Sequence, residues 1–225
     1  MGRHMIRLFH HPEDTRSEPL PAEPLRAEPA VEFRDWCTPE FLSGLATDSR
    51  IGAFSRYSPQ AATRQLAALP RVAGLPYGRV LVAHVGCRLV AFLTFHPPEA
   101  ESRWAALPTG QIFELGGIEV ARGMRGRGLA RRLMDLAFSS AEFDAAIVYA
   151  QALTWCWDLE GSGLGREAYR EMMLRLFGAY GFASYATDEP NIGYDRASIL
   201  LARIGPRAPM ALLQQFQAML IQKPA

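Results

Sequence analysis

The clearest structural signal in the chain is the stretch Ile118-Glu-Val-Ala-Arg-Gly-Met-Arg-Gly-Arg-Gly-Leu-Ala-Arg-Arg-Leu133. An apolar strand pattern leads into a loop with Gly126 and Gly128, and apolar residues at helical spacing begin at Leu129. Glycines where a helix begins allow backbone N–H groups to close around a phosphate, and the helix dipole favours the negative charge. The sequence therefore predicts that this loop binds phosphate groups.

The residues around this loop are cationic, and the glycine spacing of the loop excludes two common phosphate-binding motifs. The arginines are Arg122, Arg125, Arg127, Arg131 and Arg132. The loop has neither the Gly-Lys-Ser/Thr of a P-loop nor the G-x-G-x-x-G of a dinucleotide fingerprint. The predicted ligand is a cofactor that carries a diphosphate, and the alternative is a tight turn with solvated arginines.

Strand and helix patterns alternate through most of the chain. Strands are predicted at Arg79–Val85, Leu89–Phe95, Gln111–Ala121, Ala145–Leu153, Phe182–Tyr185 and Ala197–Ile204, with a short one at Met5–Phe9. Helices are predicted from Thr38-Pro39, from Ser58-Pro59 to about Leu69, and over Gly128–Phe143, Leu164–Tyr180 and Pro209–Leu220. Pro70 and Gly74-Leu75-Pro76 are predicted to break the chain. The pattern predicts one α/β or α+β domain over residues 31–225, preceded by a Pro/Glu-rich arm over residues 1–30.

Composition limits the class of protein. The chain has 225 residues and 49 % apolar residues, which suffices for one domain with a full core. A net charge of +1 argues against a general nucleic-acid or membrane-surface binder. Apolar runs are too short to span a bilayer and no signal-peptide pattern is present, so a cytoplasmic protein is expected. The three scattered cysteines predict neither a disulfide framework nor a zinc site, and no metal is expected.

A family resemblance adds to this interpretation. The pattern Arg125-x-x-Gly128-x-Ala130 after an apolar strand resembles motif A of the GNAT acetyltransferases, [QR]-x-x-G-x-[GA]. The resemblance implies a mixed, mostly antiparallel central sheet flanked by helices, with a splay between its two central strands. It also implies acetyl-CoA as co-substrate, with the thioester carbonyl polarised by the backbone at Ile118 and Val120. The residues expected to hold the pyrophosphate are Arg125, Gly126, Arg127, Gly128, Leu129 and Ala130.

A narrower resemblance covers roughly residues 75 to 205. The blocks that carry it are Phe113-Glu-Leu-Gly-Gly-Ile-Glu-Val120, Trp155-Cys-Trp-Asp-Leu-Glu-Gly-Ser-Gly-Leu164, Ala186-Thr-Asp-Glu-Pro190 and Leu201-Ala-Arg-Ile-Gly205. Together they resemble the acetoin-utilisation acetyltransferases, the AcuA family, whose members acetylate the active-site lysine of acetyl-CoA synthetase and switch it off. The resemblance implies that this synthetase is the partner and protein substrate. A homodimer is left open.

Acetyl transfer to an amine needs a base, because the attacking nitrogen must be neutral. Glu114 is the first candidate, since histone-type GNAT enzymes carry a glutamate at this spacing from motif A. Strand alternation predicts that Glu114 shares a face with Gly116, Ile118 and Val120, and that Glu119, the second candidate, lies on the opposite face. Burial among apolar residues would raise the pKa of Glu114 and suit it to this role. The alternative is a glutamate paired with an arginine.

The general acid is less clear from the sequence. Many GNAT relatives place a tyrosine four residues before the Gly of Gly181-Phe182, and this chain has Phe177 there. Tyr169 and Tyr180 lie on the same predicted helix without the usual spacing. Either the thiolate leaves without an acid, or another group donates the proton.

The block Trp155–Leu164 follows a predicted strand on the far side of the splay, where the acceptor should enter. Trp155 and Trp157 could hold a lysine stem, while Asp158 or Glu160 attracts its ammonium and Ser162 contributes a polar contact. The alternative is a structural loop whose tryptophans fill the core.

Three functions remain open from the sequence. The first is a protein lysine acetyltransferase acting on acetyl-CoA synthetase. The second is a small-molecule amine acetyltransferase of the same fold. The third is a non-catalytic acetyl-CoA-binding regulator of a partner protein, which the missing tyrosine keeps open.

Overall fold

The structure, a computed structural model, describes residues 30–48, 50–51 and 59–221. Within them a sheet of eight strands forms the centre of the fold. The strands are β1 (Glu32–Arg34), β2 (Ala46–Thr47), β3 (Arg79–Val85), β4 (Arg88–His96), β5 (Ile112–Val120), β6 (Ile147–Ala152), β7 (Phe182–Tyr185) and β8 (Ile199–Ile204). Their order is β1-β3-β4-β5-β6-β8-β7, and β2 pairs with β4 off this path. Pairing is antiparallel except for β5 with β6 and β2 with β4, so the expected mixed, mostly antiparallel sheet is confirmed.

Helices flank the sheet. They are α1 (Pro39–Ser43), α2 (Pro59–Leu66), α3 (Ala68–Ala73), α4 (Leu129–Phe138), α5 (Leu159–Ser162), α6 (Arg166–Gly178), α7 (Pro190–Gly193) and α8 (Met210–Ala218). The Thr38 hydroxyl accepts a hydrogen bond from the N–H of Phe41, which explains why α1 begins after Thr38-Pro39. Short 3₁₀ turns lie at Arg103–Ala106, Arg122–Met124, Ala141–Phe143 and Thr154–Cys156.

Most predicted elements are present, with shifted ends. The helix predicted to reach Leu69 is two helices, since α2 ends at Leu66 and α3 begins at Ala68. Pro70 does not break the chain, because it lies in the first turn of α3, where its missing N–H has no helical partner to lose. The predicted long helix from Gly128 ends at Phe138, and the 3₁₀ turn follows. Ser58 and the predicted strand Met5–Phe9 lie outside the described residues.

The core is divided by the sheet. On one face the buried side of α4 packs against β4, β5 and β6 through Leu129, Leu133, Met134 and Ala137. On the other face lie two further apolar clusters, one around Phe92 under α1 and α3, and one that includes Trp104, Tyr149 and Phe216. Only side chains on the same face of the sheet can therefore contact each other in the site.

The sheet opens between its two parallel central strands. Ile112, Phe113 and Glu114 of β5 pair with Ile147, Val148 and Tyr149 of β6. Beyond these pairs β5 continues to Val120 alongside β4, and β6 continues to Ala152 alongside β8. The two strands therefore splay apart as expected, and each presents to the gap the backbone edge that lacks a strand partner there.

Candidate active site

The predicted phosphate loop forms the end of β5 and the start of α4. Gly126 and Gly128 have φ values of 75° and 76°, a left-handed conformation that favours glycine. Gly128 is the residue that precedes α4, and neither glycine has an atom within 4 Å of the position a Cβ would take. The loop is therefore open toward solvent, and the first-turn N–H groups of α4 have no partner within the helix. This geometry suits an anion at the helix N-terminus.

Side chains of the loop divide into anchoring and exposed groups. Leu129 is buried in the core, so its contribution to ligand binding is limited to the backbone. The guanidinium of Arg125 donates to the carbonyl oxygen of Val120 at 3.2 Å and pairs with Asp158 at 2.8 Å. Arg125 is thus occupied in holding the loop, while Arg127 and Arg131 are exposed beside it.

Asp158 joins this loop to the segment after β6. Arg122 donates to both of its carboxylate oxygens, at 2.9 and 2.8 Å, and the N–H of Gly161 donates to Oδ1 at 3.0 Å. Burial raises the pKa of Asp158, but the hydrogen bonds from Arg122, Gly161 and Arg125 outweigh it and lower the pKa to about 2. The prediction that Asp158 attracts the acceptor ammonium does not fit this geometry, because both oxygens are already held by arginines. Asp158 instead fastens one side of the splay to the other.

The other residues of the Trp155–Leu164 block lie in different places. Trp157 is buried and its ring stacks on Tyr169, with centroids 5.1 Å apart. Trp155 is 47 % exposed and lines the cleft. The Ser162 hydroxyl donates to the carbonyl of Leu159 and accepts from the N–H of Leu164, which closes α5 away from the cleft lining. Of the four predicted substrate contacts, Trp155 alone is both exposed and in the cleft.

A cleft of about 570 Å³ occupies the splay. Its walls include Leu115 to Glu119 of β5 and Ala150 to Leu153 at the end of β6. The lining also includes Glu114 and His96, which face each other on β5 and β4, and the acidic residues Glu99, Glu101 and Glu189, here called the acidic mouth. The cleft contains both glutamates that the sequence proposed as bases.

Glu114 is a half-buried carboxyl group in this lining. The Tyr149 hydroxyl donates to its Oε2 at 2.8 Å, and Tyr149 is fully buried. Burial raises the pKa of Glu114, although the Tyr149 hydrogen bond acts in the opposite direction. Burial and the charge of Glu114 also raise the pKa of Tyr149, so this hydroxyl stays protonated and acts as a donor. A carboxyl group with a raised pKa in a cleft has the properties of a general base.

A β-bulge corrects the predicted faces of β5. The register shifts where Thr94 pairs with Gly117 and Phe95 pairs with Leu115, so Gly116 is the extra residue. Leu115, Ile118 and Val120 therefore pack toward the α4 side. Glu114 does not share a face with Ile118 and Val120, and Glu119 does not lie opposite to it. The bulge places both glutamates on the side of the sheet away from α4, since Glu119 pairs with Phe92, which packs in the cluster on that side.

His96 is a cleft residue that the sequence analysis missed. It ends β4 directly opposite Glu114, and its Nδ1 lies 2.8 Å from the carbonyl oxygen of Pro97. Its ring packs against Gly116, where an added Cβ would come within 2.2 Å of Nε2. The available sequence signal was a histidine at the end of an apolar strand. The bulge and the strand register that give it meaning are not visible in the sequence.

The structure places Phe177, Tyr180 and Tyr169 in different surroundings. Phe177 is buried and lines the cleft without a proton to donate. The Tyr180 hydroxyl is hydrogen-bonded to the carbonyl oxygen of Arg131 and to the carboxylate of Asp135, and Tyr180 is not part of the cleft lining. Tyr169 lines the cleft, and burial raises its pKa, so it remains protonated at neutral pH. Tyr169 is the described tyrosine positioned to act on a group in the cleft.

The cleft fits an acetyl-CoA molecule chemically. The side-chain oxygen Oε1 of Gln151 is buried in the cleft wall without a hydrogen-bond partner among the described residues. Buried acceptors are normally satisfied, and the pantetheine arm of coenzyme A carries amide N–H groups that could donate to it. The splayed strand edges offer further backbone partners, and the Gly126–Gly128 loop suits the pyrophosphate. Within residues 30–48, 50–51 and 59–221, no cluster of three His, Cys, Asp or Glu side chains could hold a metal ion, and no helix is long and apolar enough to cross a membrane.

Comparisons with known proteins agree with this geometry. The sequence model of the acetyltransferase (GNAT) family matches residues 40–154. The acetoin utilization protein AcuA of Bacillus subtilis is 32 % identical over 179 residues, which are 80 % of this chain and 83 % of that protein. The protein of the same name from Bacillus licheniformis is 30 % identical over the same shares. The crystal structure of an acetoin utilization protein from Exiguobacterium sibiricum superposes with a TM-score of 0.77 at 26 % identity, covering 87 % of this chain and 96 % of that one.

The family match covers just over half of the chain, and the curated relatives are similar along four fifths of it. The splayed parallel pair and the glycine loop before α4 supply the structural features that this similarity requires. The chain therefore belongs to the GNAT acetyltransferase family and is an acyltransferase whose fold implies acetyl-CoA as co-substrate.

Proposed function

We propose that this chain is a cytoplasmic protein lysine N-acetyltransferase that acetylates acetyl-CoA synthetase and inactivates it. The acetyl group would pass directly from the thioester to the lysine amine, with Glu114 as a base. The observation that supports this most is the cleft in the splay, whose lining includes Glu114 with its hydrogen bond from Tyr149. The Gly126–Gly128 loop follows the same strand, β5, and precedes α4.

The co-substrate would lie along the splay. The pyrophosphate would be bound by backbone N–H groups at the start of α4 and by the exposed arginines beside it. The backbone at Ile118 and Val120 would polarise the thioester carbonyl, because N–H groups aimed at the developing oxyanion stabilise the transition state. Gln151 would accept a hydrogen bond from the pantetheine arm.

The acceptor end of the cleft favours a cationic substrate. Glu99 and Glu101 are exposed in the cleft lining, whereas Glu189 is paired with Arg103 at 2.8 Å. A lysine side chain is positively charged before it reacts, so the two exposed carboxylates attract it. Trp155 is exposed at the same cleft and suits the alkyl stem of a lysine. The choice of acetyl-CoA synthetase rests on the resemblance of the Trp155–Leu164 and Ala186–Pro190 blocks to the AcuA family, and the names of the relatives are consistent with it.

Departure of the thiolate has one candidate acid. Tyr169 would donate its proton to the sulfur, since it lies in the cleft and is stacked on Trp157. A thiolate is also a fair leaving group by itself, because an unperturbed thiol has a pKa of about 8.5. Loss of Tyr169 is therefore expected to reduce the rate less than loss of the base.

The decisive experiment is mass spectrometry on purified acetyl-CoA synthetase incubated with this protein and acetyl-CoA. We expect one added acetyl group on the active-site lysine of the synthetase and a parallel loss of its activity. Omission of acetyl-CoA is the matched control, and the Glu114→Gln variant should give much slower modification.

Other outcomes point to the remaining functions. Acetylation of small amines without modification of the synthetase would indicate a small-molecule acetyltransferase. Inhibition of the synthetase without any added mass, unchanged in the Glu114→Gln variant, would indicate a non-catalytic acetyl-CoA-binding regulator.

A further inference from the structure

We propose that His96 is a second catalytic base, which removes the first proton from the acceptor ammonium before Glu114 removes the second. This inference rests on the proposed acetyl transfer to a lysine amine. It adds a residue that neither the family motif nor the sequence resemblance assigns.

The hydrogen bond to Pro97 fixes which ring nitrogen of His96 can accept a proton. A carbonyl oxygen can only accept, so the contact of 2.8 Å requires that Nδ1 carry the hydrogen. In the neutral ring the lone pair is then on Nε2. Nε2 has no hydrogen-bond partner among the described residues, and the ring lines the cleft.

The bulge at Gly116 brings this nitrogen to the reacting region. Nε2 lies so close to Gly116 that a side chain there would collide with it. His96 and Glu114 are directly opposite each other on β4 and β5, where facing residues have Cβ atoms about 4.5–5.5 Å apart. Two proton acceptors therefore border the same part of the cleft, and burial raises the pKa of Glu114.

The acceptor nitrogen loses two protons in the reaction, so two bases can take part. An acceptor R–NH₃⁺ must lose one proton before its nitrogen can attack the thioester carbon. After the C–N bond forms, the nitrogen loses a second proton as the C–S bond breaks, and the leaving sulfur takes the proton of Tyr169 to give the thiol. Two protons leave the nitrogen, one of them replaces the proton of Tyr169, and the other is released to water. His96 at the half-buried mouth is placed to pass the first proton to solvent, while Glu114 inside takes the second.

Several charged groups face His96, and they define its environment. Glu114 faces it from β5, Glu99 and Glu101 from the loop after β4, and Glu189 from the residue before α7. Glu189 is paired with Arg103 at 2.8 Å, so its charge is compensated. Glu99 and Glu101 are the exposed carboxylates that favour the approach of the ammonium that His96 would deprotonate.

The test compares His96→Asn and His96→Ala with the wild-type protein, using the acetylation rate of the protein acceptor. The asparagine amide can still donate to the Pro97 carbonyl, but it offers no basic atom. We expect kcat/KM to fall by about 100-fold or more near pH 7, as typical for loss of a general base. The deficit should shrink as the pH approaches that of free lysine deprotonation, because the acceptor then arrives neutral. Added imidazole should restore part of the rate of His96→Ala, since it can occupy the space beside Gly116.

Two controls keep the test decisive. Calorimetric binding of acetyl-CoA and the thermal unfolding midpoint should be unchanged in both variants, and Glu142→Gln, an exposed change outside the cleft lining, should retain the full activity. If His96→Asn has the wild-type rate and pH profile while Glu114→Gln is slow, the role of His96 is wrong and the proposed function stands. If the wild-type protein transfers acetyl to no lysine at all, the proposed function fails and the role of His96 falls with it.

Discussion

At the scale of single residues, the hydrogen bond from Tyr149 to Glu114 affects how easily the carboxyl group in the cleft ionises. A carboxyl group that is buried resists ionisation, and a phenol that donates to it partly offsets that effect. The sequence predicted the glutamate from its spacing before Arg125. It could not predict the phenol, because Tyr149 is on another strand and meets Glu114 only through the short parallel pairing of β5 and β6.

Replacement of Glu114 by Gln should lower kcat/KM by about 10²–10⁴-fold with little effect on acetyl-CoA affinity. The amide can still accept from Tyr149, so the local packing is preserved. Since the pKa of Glu114 is raised in the folded state, its charge costs stability as the pH increases through that pKa. The Gln variant should therefore be at least as stable as the wild type at pH 8. Glu119→Gln is the matched control. A larger rate loss in Glu119→Gln than in Glu114→Gln would mean that Glu119 is the base.

Replacement of Tyr149 by Phe tests the hydrogen bond itself. The Tyr149 donor lowers the pKa of Glu114, so its removal should raise that pKa further. The acidic limb of the kcat/KM profile should then move to higher pH, while the rate at high pH changes little. A pH series from 5 to about 10, with the range chosen to span perturbed carboxyl and lysine pKa values, measures the shift. An unmoved limb would mean that Glu114 does not carry the titration.

At the scale of elements, Asp158 connects the end of β5 to α5. Replacement of Asp158 by Asn should lower the thermal unfolding midpoint and weaken acetyl-CoA binding, because Arg122 and Arg125 lose the charge that positions the loop. The pKa of Asp158 is lowered to about 2, so its contribution is present at neutral pH and is lost as the pH falls toward that value. Wild type and variant should therefore converge in stability at low pH. Glu160→Gln, an exposed change in the same segment, is expected to have no effect.

The start of α4 depends on a backbone conformation that most residues avoid. Gly128→Ala should destabilise the protein by about 1–2 kcal/mol, which is the usual cost of a left-handed conformation for a residue with a Cβ. Gly165→Ala is a suitable control, because Gly165 also precedes a helix and also has open space, but its φ is −70°. Denaturant unfolding and the KM for acetyl-CoA measure the two effects. Equal losses in both variants would contradict the explanation.

Strand positions could be predicted from the sequence, but their relations could not. The apolar runs at Arg79–Val85 and Phe182–Tyr185 were confirmed as β3 and β7. The bulge at Gly116 was missed because a Gly-Gly pair within a strand does not reveal which residue is extra. Because of this extra residue, Glu114 and Glu119 lie on the same side of β5 and not on opposite sides as predicted. The ion pairs of Asp158 were missed for a similar reason, since Arg122 and Arg125 lie more than thirty residues away in the sequence.

At the scale of the whole molecule, a nearly neutral chain has charges of opposite sign in two places. Its net charge is +1, yet exposed arginines flank the Gly126–Gly128 loop and glutamates line the cleft. We expect the KM values for acetyl-CoA and for a lysine acceptor both to rise with ionic strength, because the screening length falls from about 30 Å at 0.01 M to about 8 Å at 0.15 M. Steady-state kinetics over this range provides the measurement. A dependence confined to acetyl-CoA would mean that the acidic mouth does not attract the acceptor.

The short pairing between β5 and β6 has a consequence for the lifetime of the protein. Along the described strands, three residue pairs join the half of the sheet that contains β3 and β4 to the half that contains β8 and β7. A molecule bound in the splay would bridge the two halves where the backbone does not, and a ligand that binds only the folded chain stabilises it according to its concentration. Bound acetyl-CoA would thus make separation of the two halves rarer, so the folded protein would persist longer when acetyl-CoA is abundant.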